Sequence, residues 1–161
     1  MNSYWKNYIQ SPMFNVDALQ AALQKEKAER NLSEFIKQAW RVIEPGTTYV
    51  ENWHIDLISE YLQAVENNEI LRLIINIPPR HMKSIQTTVC YPAWSWIKKP
   101  EKRFIKVSYS DNLSRKHNVL SRDIILSPWY QENWGDRFTL KDDVNRQNEF
   151  KNNHHGMMFS T

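Results

Sequence analysis

The sequence predicts an α/β fold in which a helical amino-terminal segment precedes an incomplete parallel sheet with helical crossovers. Three observations carry that expectation. Apolar residues recur three or four apart through the first seventy positions, and a short β-branched run, "ILRLIINI" (70–77), then breaks the helical period. Behind it the pattern alternates strand, loop, helix, strand, helix, the order that lays parallel strands side by side with helices crossing between them.

The first helix is expected over 16–30, where Leu19, Ala22, Leu23 and Ala28 sit among charges behind an Asn15 cap. A second opens at Ser33, carries Phe35, Ile36, Ala39, Trp40 and Ile43, and stops at Pro45-Gly46; the two also fit one bent helix. Trp53, Leu57, Ile58, Tyr61, Leu62 and Val65 line one face of a third, entered through Asn52 and left through Asn67-Asn68. On that face Trp53 reads as core. The run 70–77 is short and almost continuously apolar, as is a strand buried on both faces of a parallel sheet. Pro78-Pro79 ends it, and a helix follows from Lys83, bent at Pro92 and closed by Lys98-Lys99-Pro100.

A second strand is expected over 103–109. "DNLSRKHNVLSRDIIL" then forms a helix with Leu113, His117, Leu120 and Ile124 on one face and Ser110-Asp111 as its cap. After it, "SPWYQENWGDRF" reads as a turn-rich aromatic segment and Asp142-Asp143 as part of a polar loop. Two short strands, 148–151 and 157–161, are joined by the turn "NNHHG".

Composition bounds the function classes. A chain of 161 residues is one ordinary domain or a piece of a larger protein, and 41% hydrophobic with 24% charged residues is a globular balance that argues against disorder. The longest apolar run is interrupted by Arg72 and Asn76 and is too short to span a bilayer. "MNSYWKNYIQSPMF" lacks the layout of a signal peptide, so a cytoplasmic setting is expected. One cysteine, Cys90, excludes an internal disulfide and a cysteine zinc site, and reads as a small core residue. A net charge of +3 permits contact with nucleic acid without arguing for it. Lys98, Lys99, Lys102, Arg103 and Lys106 read as a solvated loop and strand start. Trp94, Trp96, Trp129 and Trp134 read mostly as core rather than as a stacking platform for bases. His117 reads as a packed residue, and His154-His155 as a turn rather than a metal site.

The chemistry sits in "NIPPRHMKS" (76–84). A P-loop has glycine, four residues, then Gly-Lys-Ser/Thr between a strand and a helix. Aligning Lys83-Ser84 places Met82 at the second glycine and Ile77 at the first, so the string fails. The chemistry survives: Lys83 can reach phosphate oxygens, the Ser84 hydroxyl can ligate Mg²⁺, Arg80 adds a planar cationic fork, and the new helix points its amino end at an anion. A proline-stiffened surface turn with two exposed cations fits these residues equally well. The strand before and the helix after favour the phosphate loop.

"LRLIINIPPRHMKS", followed in order by "YPAWSW", "KVSYSDNLSRKHN", "SRDIILSPWYQENWG" and "KNNHHGMMFST", resembles the amino-terminal ATPase region of the large terminase subunit of tailed bacteriophages. The resemblance covers about 49–161. It implies a P-loop NTPase domain beginning at 69, with 1–68 as a helical, lid-like segment. In that family the loop is of the type Pro-Pro-Arg-x-x-Lys-Ser. The nucleotide-binding set it implies is Pro79, Arg80, His81, Met82, Lys83 and Ser84, with Lys83 on the β and γ phosphates of ATP, Ser84 on Mg²⁺ and Arg80 beside the γ phosphate. Tyr49, Trp53 and His54 occupy the place of the segment that holds the base. The implied partners are double-stranded viral DNA, the terminase small subunit and a portal protein, in a ring-forming homo-oligomer within a bacterial host. Phosphoryl transfer to water needs an apolar strand ending in paired carboxylates, and neither Ser110-Asp111 nor Asp142-Asp143 follows one. The sequence therefore reads as the front part of such a motor, truncated before that strand, with a catalytically inactive prophage remnant, an interaction fragment or a helicase-like P-loop protein as the alternatives. A half-built sheet leaves strand edges open, so self-association is expected.

Overall fold

Asn15 is the first of the residues, 15–161, that this computed structural model describes, and its side chain accepts a hydrogen bond from the Ala18 N–H at 3.0 Å. That bond satisfies one of the donors a helix start leaves unpaired. The amino-terminal stretch that argued against a signal peptide lies outside the described residues. Helix α1 (Val16–Arg30) ends at Asn31, which also begins α2 (Leu32–Ile43). Asn31 is extended at φ −128°, sends its N–H to the Lys27 carbonyl and accepts from the Ser33 N–H at 2.8 Å. One residue thus closes one helix and opens the next, so these are two helices and not one bent one.

Helix α3 (Trp53–Glu66) runs from Asn52 to a left-handed Asn68 at φ 62°. Its buried side is Ile55, Ile58, Leu62 and Glu66. Trp53, expected in the core, is 74% exposed, and Leu57 and Tyr61 are exposed with it. The helix is apolar on two faces, and periodicity alone does not choose which one packs.

Past the loop, a π-helical turn (Ile85–Cys90) leads into α4 (Tyr91–Lys98), every residue of which but the last is buried. The remaining elements are β1 (Arg103–Lys106), α5 (Asp111–Leu126), α6 (Pro128–Trp134), β2 (Leu140–Asn145), β3 (Glu149–Asn152) and β4 (Met157–Ser160). Segment 127–134 is helical because Ser127 caps it, accepting from the Tyr130 N–H at 3.2 Å, and Pro128 takes the first position, where its missing N–H costs nothing. The segment expected to be turn-rich thus begins with a short helix. Asp142 and Asp143 are exposed residues of strand β2 rather than part of a loop.

The class is α/β, but the sheet departs from the expected parallel P-loop arrangement. Its order is β1-β4-β3-β2, with β1 parallel to β4 and the other two pairs antiparallel. Arg103 stands opposite Met157 and Lys106 opposite Ser160, while Phe150 pairs with Met158 across β3 and β4. The segment 70–77, expected as a strand, is assigned to none and joins no ladder. Leu73, Ile75 and Ile77 pack against the core, whereas Leu71 and Ile74 are 84% and 86% exposed. The strand buried on both faces that apolar continuity suggested is therefore not formed; pairing depends on a neighbouring strand, which a local pattern does not contain.

Aromatic side chains fill the core. Phe35 meets Trp129, Tyr130 and Trp134 at centroid distances of 5.4, 6.3 and 5.9 Å, and Trp96 packs edgewise on Phe138 and Phe150. The indole N–H groups of Trp94 and Trp96 donate to the carbonyls of Ala28 and Lys102, both at 2.9 Å. Cys90 is fully buried. Lys106, expected in a solvated basic stretch, is buried too, its Nζ donating to the Ser121 hydroxyl at 2.6 Å. Alternation along β1 turns it inward while Arg103 and Ile105 face out. Among the described residues no helix is long and apolar enough to cross a membrane.

Candidate phosphate-binding loop

The run 71–77 delivers the chain to Pro78-Pro79, and Lys83-Ser84 begin the helix that continues through the π turn into α4. Between them, Arg80 has φ 68° and Met82 has φ 60°. Among the described residues only two other non-glycines, Asn68 and His155, share that region, and both belong to types that tolerate it. Arg and Met do not favour it. Two left-handed residues flanking His81 alternate the backbone's hand, the pattern that turns successive N–H groups toward one concave face and suits an anion.

The position where a P-loop has glycine therefore adopts the backbone that glycine permits. Met82 is half-buried and packs against the core, contacts that hold a conformation costing about 1 kcal/mol or more. The His81 ring lies with Nδ1 2.9 Å from the Pro79 carbonyl, so Nδ1 is its protonated nitrogen, and this contact spans the same turn. The first helical bond is Gln86 N–H to the Met82 carbonyl at 2.9 Å. The N–H groups before it lack intrahelical acceptors, as at any helix start. Thr87 donates its hydroxyl to the Lys83 carbonyl at 2.9 Å.

Arg80 and Lys83 are exposed, and among the described residues neither has an acidic partner. Residues 78–85 surround a hollow of about 200 Å³. Beside it, sharing Pro78 and His81, lies a groove of about 750 Å³ between α3 and the run 73–77, with Trp53, His54, Tyr61 and Asn76 on its walls. The His54 and His81 rings stand 5.7 Å apart, and His54 Nε2 is buried without a partner.

Of the candidates read from the sequence, the structure gathers residues 79–84, Trp53 and His54 in one place. Tyr49 is elsewhere, edge-on to Trp40 at 5.8 Å, its hydroxyl pushed up to about 12 chiefly by burial. Tyr61 and Asn76 were not singled out. Tyr61 follows Trp53 by eight residues, two helical turns, and Asn76 is the polar break in an apolar run, so both signals were present. No carboxylate lines the hollow or the groove. Asp111 pairs with Arg115 instead, Ser110 makes no side-chain cap bond, and His155 sits in its turn at φ 63°. His117 is half-buried, its pKa lowered by burial and by the charge of Lys106. Among the described residues no three His, Cys, Asp or Glu side chains converge as metal ligands.

No protein-family model, curated protein or solved structure matches the chain.

Proposed function

We propose that the chain binds ATP–Mg²⁺ through the loop 79–84, as the nucleotide-binding portion of a DNA-packaging motor of the phage terminase type. The observation that carries this reading is the left-handed backbone at Met82, at the position a P-loop reserves for glycine, with Lys83-Ser84 directly behind it. The concave turn would cradle the phosphates, Lys83 would neutralise the β and γ oxygens, and Arg80 would add a fork beside the terminal phosphate. Ser84 fits a Mg²⁺ role, because its side chain makes no cap bond and it stands at the helix start, where phosphate oxygens would supply further ligands. The packaged substrate, double-stranded viral DNA, and the small subunit, portal and ring assembly rest on the motif order alone.

With no carboxylate lining the site, binding without turnover is expected. Calorimetry tests the reading. ATP–Mg²⁺ should bind the unaltered chain, and Lys83→Ala should weaken binding roughly 10- to 100-fold, the loss of one charged hydrogen-bonding group. Met82→Gly should preserve or tighten it, since glycine enters the same backbone without strain. No heat of binding from the unaltered chain would leave the catalytically inactive remnant as the better reading.

A further inference from the structure

A second cleft lies between α1, α2, the turn 45–49 and α6, and shares no lining residue with the hollow or the groove at the loop. Its volume, about 770 Å³, is that of a small-molecule pocket. Trp40, Tyr49 and Trp129 line it, each half-buried. The Trp40 indole N–H donates to the Thr47 carbonyl at 3.0 Å and its ring meets Tyr49 edge to face. Trp129 packs on Phe35 and on Trp134, both at 5.4 Å between centroids. Among the described residues the one cation over an aromatic ring is Lys98 over Trp94, outside this cleft. The polar lining is also placed in advance: Gln38 donates to the Gln24 carbonyl at 2.9 Å and ties α2 to α1, and Asn133 donates to the Trp129 carbonyl at 2.7 Å. Rings held in this way offer stacking at little cost in ordering.

We propose that this cleft binds a small flat aromatic carboxylate, its ring against the indoles of Trp40 and Trp129 and its acid group on Arg41 and Lys25. The charge of the lining selects that chemistry. Lys25 from α1 and Arg41 from α2 face a single carboxylate, Glu132 from α6, while Lys37 is held by Glu51. Tyr49 adds no charge near neutral pH, because burial pushes its hydroxyl up to about 12. Two cations less one carboxylate leave a single positive charge, which matches one acid group and not a polyphosphate. The planar fork of Arg41 also suits a carboxylate, which it can hold with two parallel bonds. The proposal rests on this cleft alone and is independent of nucleotide binding at the loop.

The probe is 2-naphthoate, added to the ¹⁵N-labelled chain and followed through the tryptophan indole N–H signals. The signal of Trp40, assigned by its loss in Trp40→Phe, should shift saturably. Decahydro-2-naphthoate, the same skeleton without a flat ring, should bind roughly 5-fold more weakly, the worth of an aromatic contact. Neutral 2-naphthylmethanol should bind roughly 3- to 5-fold more weakly, and so should 2-naphthoate to Arg41→Gln, the reach of one exposed ion pair. Arg41 is exposed, so the change leaves the fold intact, which circular dichroism checks. Lys83→Ala should bind the probe as the unaltered chain does, since Lys83 lies outside the cleft. No saturable shift at millimolar probe, equal binding of the saturated acid or the neutral alcohol, indifference to Arg41→Gln, or loss of binding in Lys83→Ala would overturn the proposal.

Discussion

Gln86 lies in the first turn of the π segment, fully buried, with neither its amide nitrogen nor its oxygen hydrogen-bonded. A buried polar group left without partners carries its desolvation penalty unrelieved. Gln86→Leu keeps nearly the same shape and removes that penalty, so it should raise stability by about 1–3 kcal/mol, read as a higher urea midpoint at unchanged slope. At this scale the candidate site was partly legible. Arg80, Lys83 and Ser84 could be chosen from the string because their charges and hydroxyl state their chemistry. The left-handed turn could not, because a methionine argues against the backbone it adopts here.

Between elements, the firmest polar tie is Glu66. At the end of α3 it is 5% exposed; one carboxylate oxygen accepts from Tyr91 at 3.0 Å and Ser95 at 2.9 Å, both on α4, and lies 2.8 Å from Lys102. Lys99 stands 3.2 Å from the other oxygen. Burial opposes its charge, but the bonds from Lys102 and Ser95 prevail and hold its carboxyl below the usual value. The stability it contributes is therefore present at neutral pH and lost as pH falls through that depressed pKa. Glu66→Ala leaves the buried Tyr91 and Ser95 hydroxyls unpaired, while Lys99 and Lys102 can reach solvent, and should cost about 1–3 kcal/mol, measurable by chemical denaturation, with Glu66→Gln milder. Helices α1, α2, α3 and α5 were legible because caps and apolar spacing are local signals. Helix α6 was not, because its turn formers and aromatics read as a turn-rich segment, and the exposed polar β2 offered no alternation to detect.

For the molecule as a whole, Lys106 sets a pH dependence. Burial lowers its pKa from 10.5 to about 7, with Cys90 opposing weakly, so above pH 7 the unfolded chain holds a proton the folded one has released. Stability then rises with pH. The buried Cys90 thiol, pushed up by burial, acts in the opposite sense once free thiols ionise, which confines the window to between pH 7 and about 8.5. Across it stability should increase by on the order of 1 kcal/mol, and Lys106→Met should flatten the profile in denaturant titrations at the two pH values. The class was legible at this scale but the sheet was not, since which strands meet is settled by parts of the chain far apart in sequence. The π turn between the loop and α4, where the Tyr91 N–H reaches back five residues to the Gln86 carbonyl, has a consequence for descent. Such a turn holds one residue more than an α-helix needs between the same ends, so relatives shorter by one residue within 85–90 can keep both the loop and the buried face of α4, and an alignment gap there would not mark a broken site.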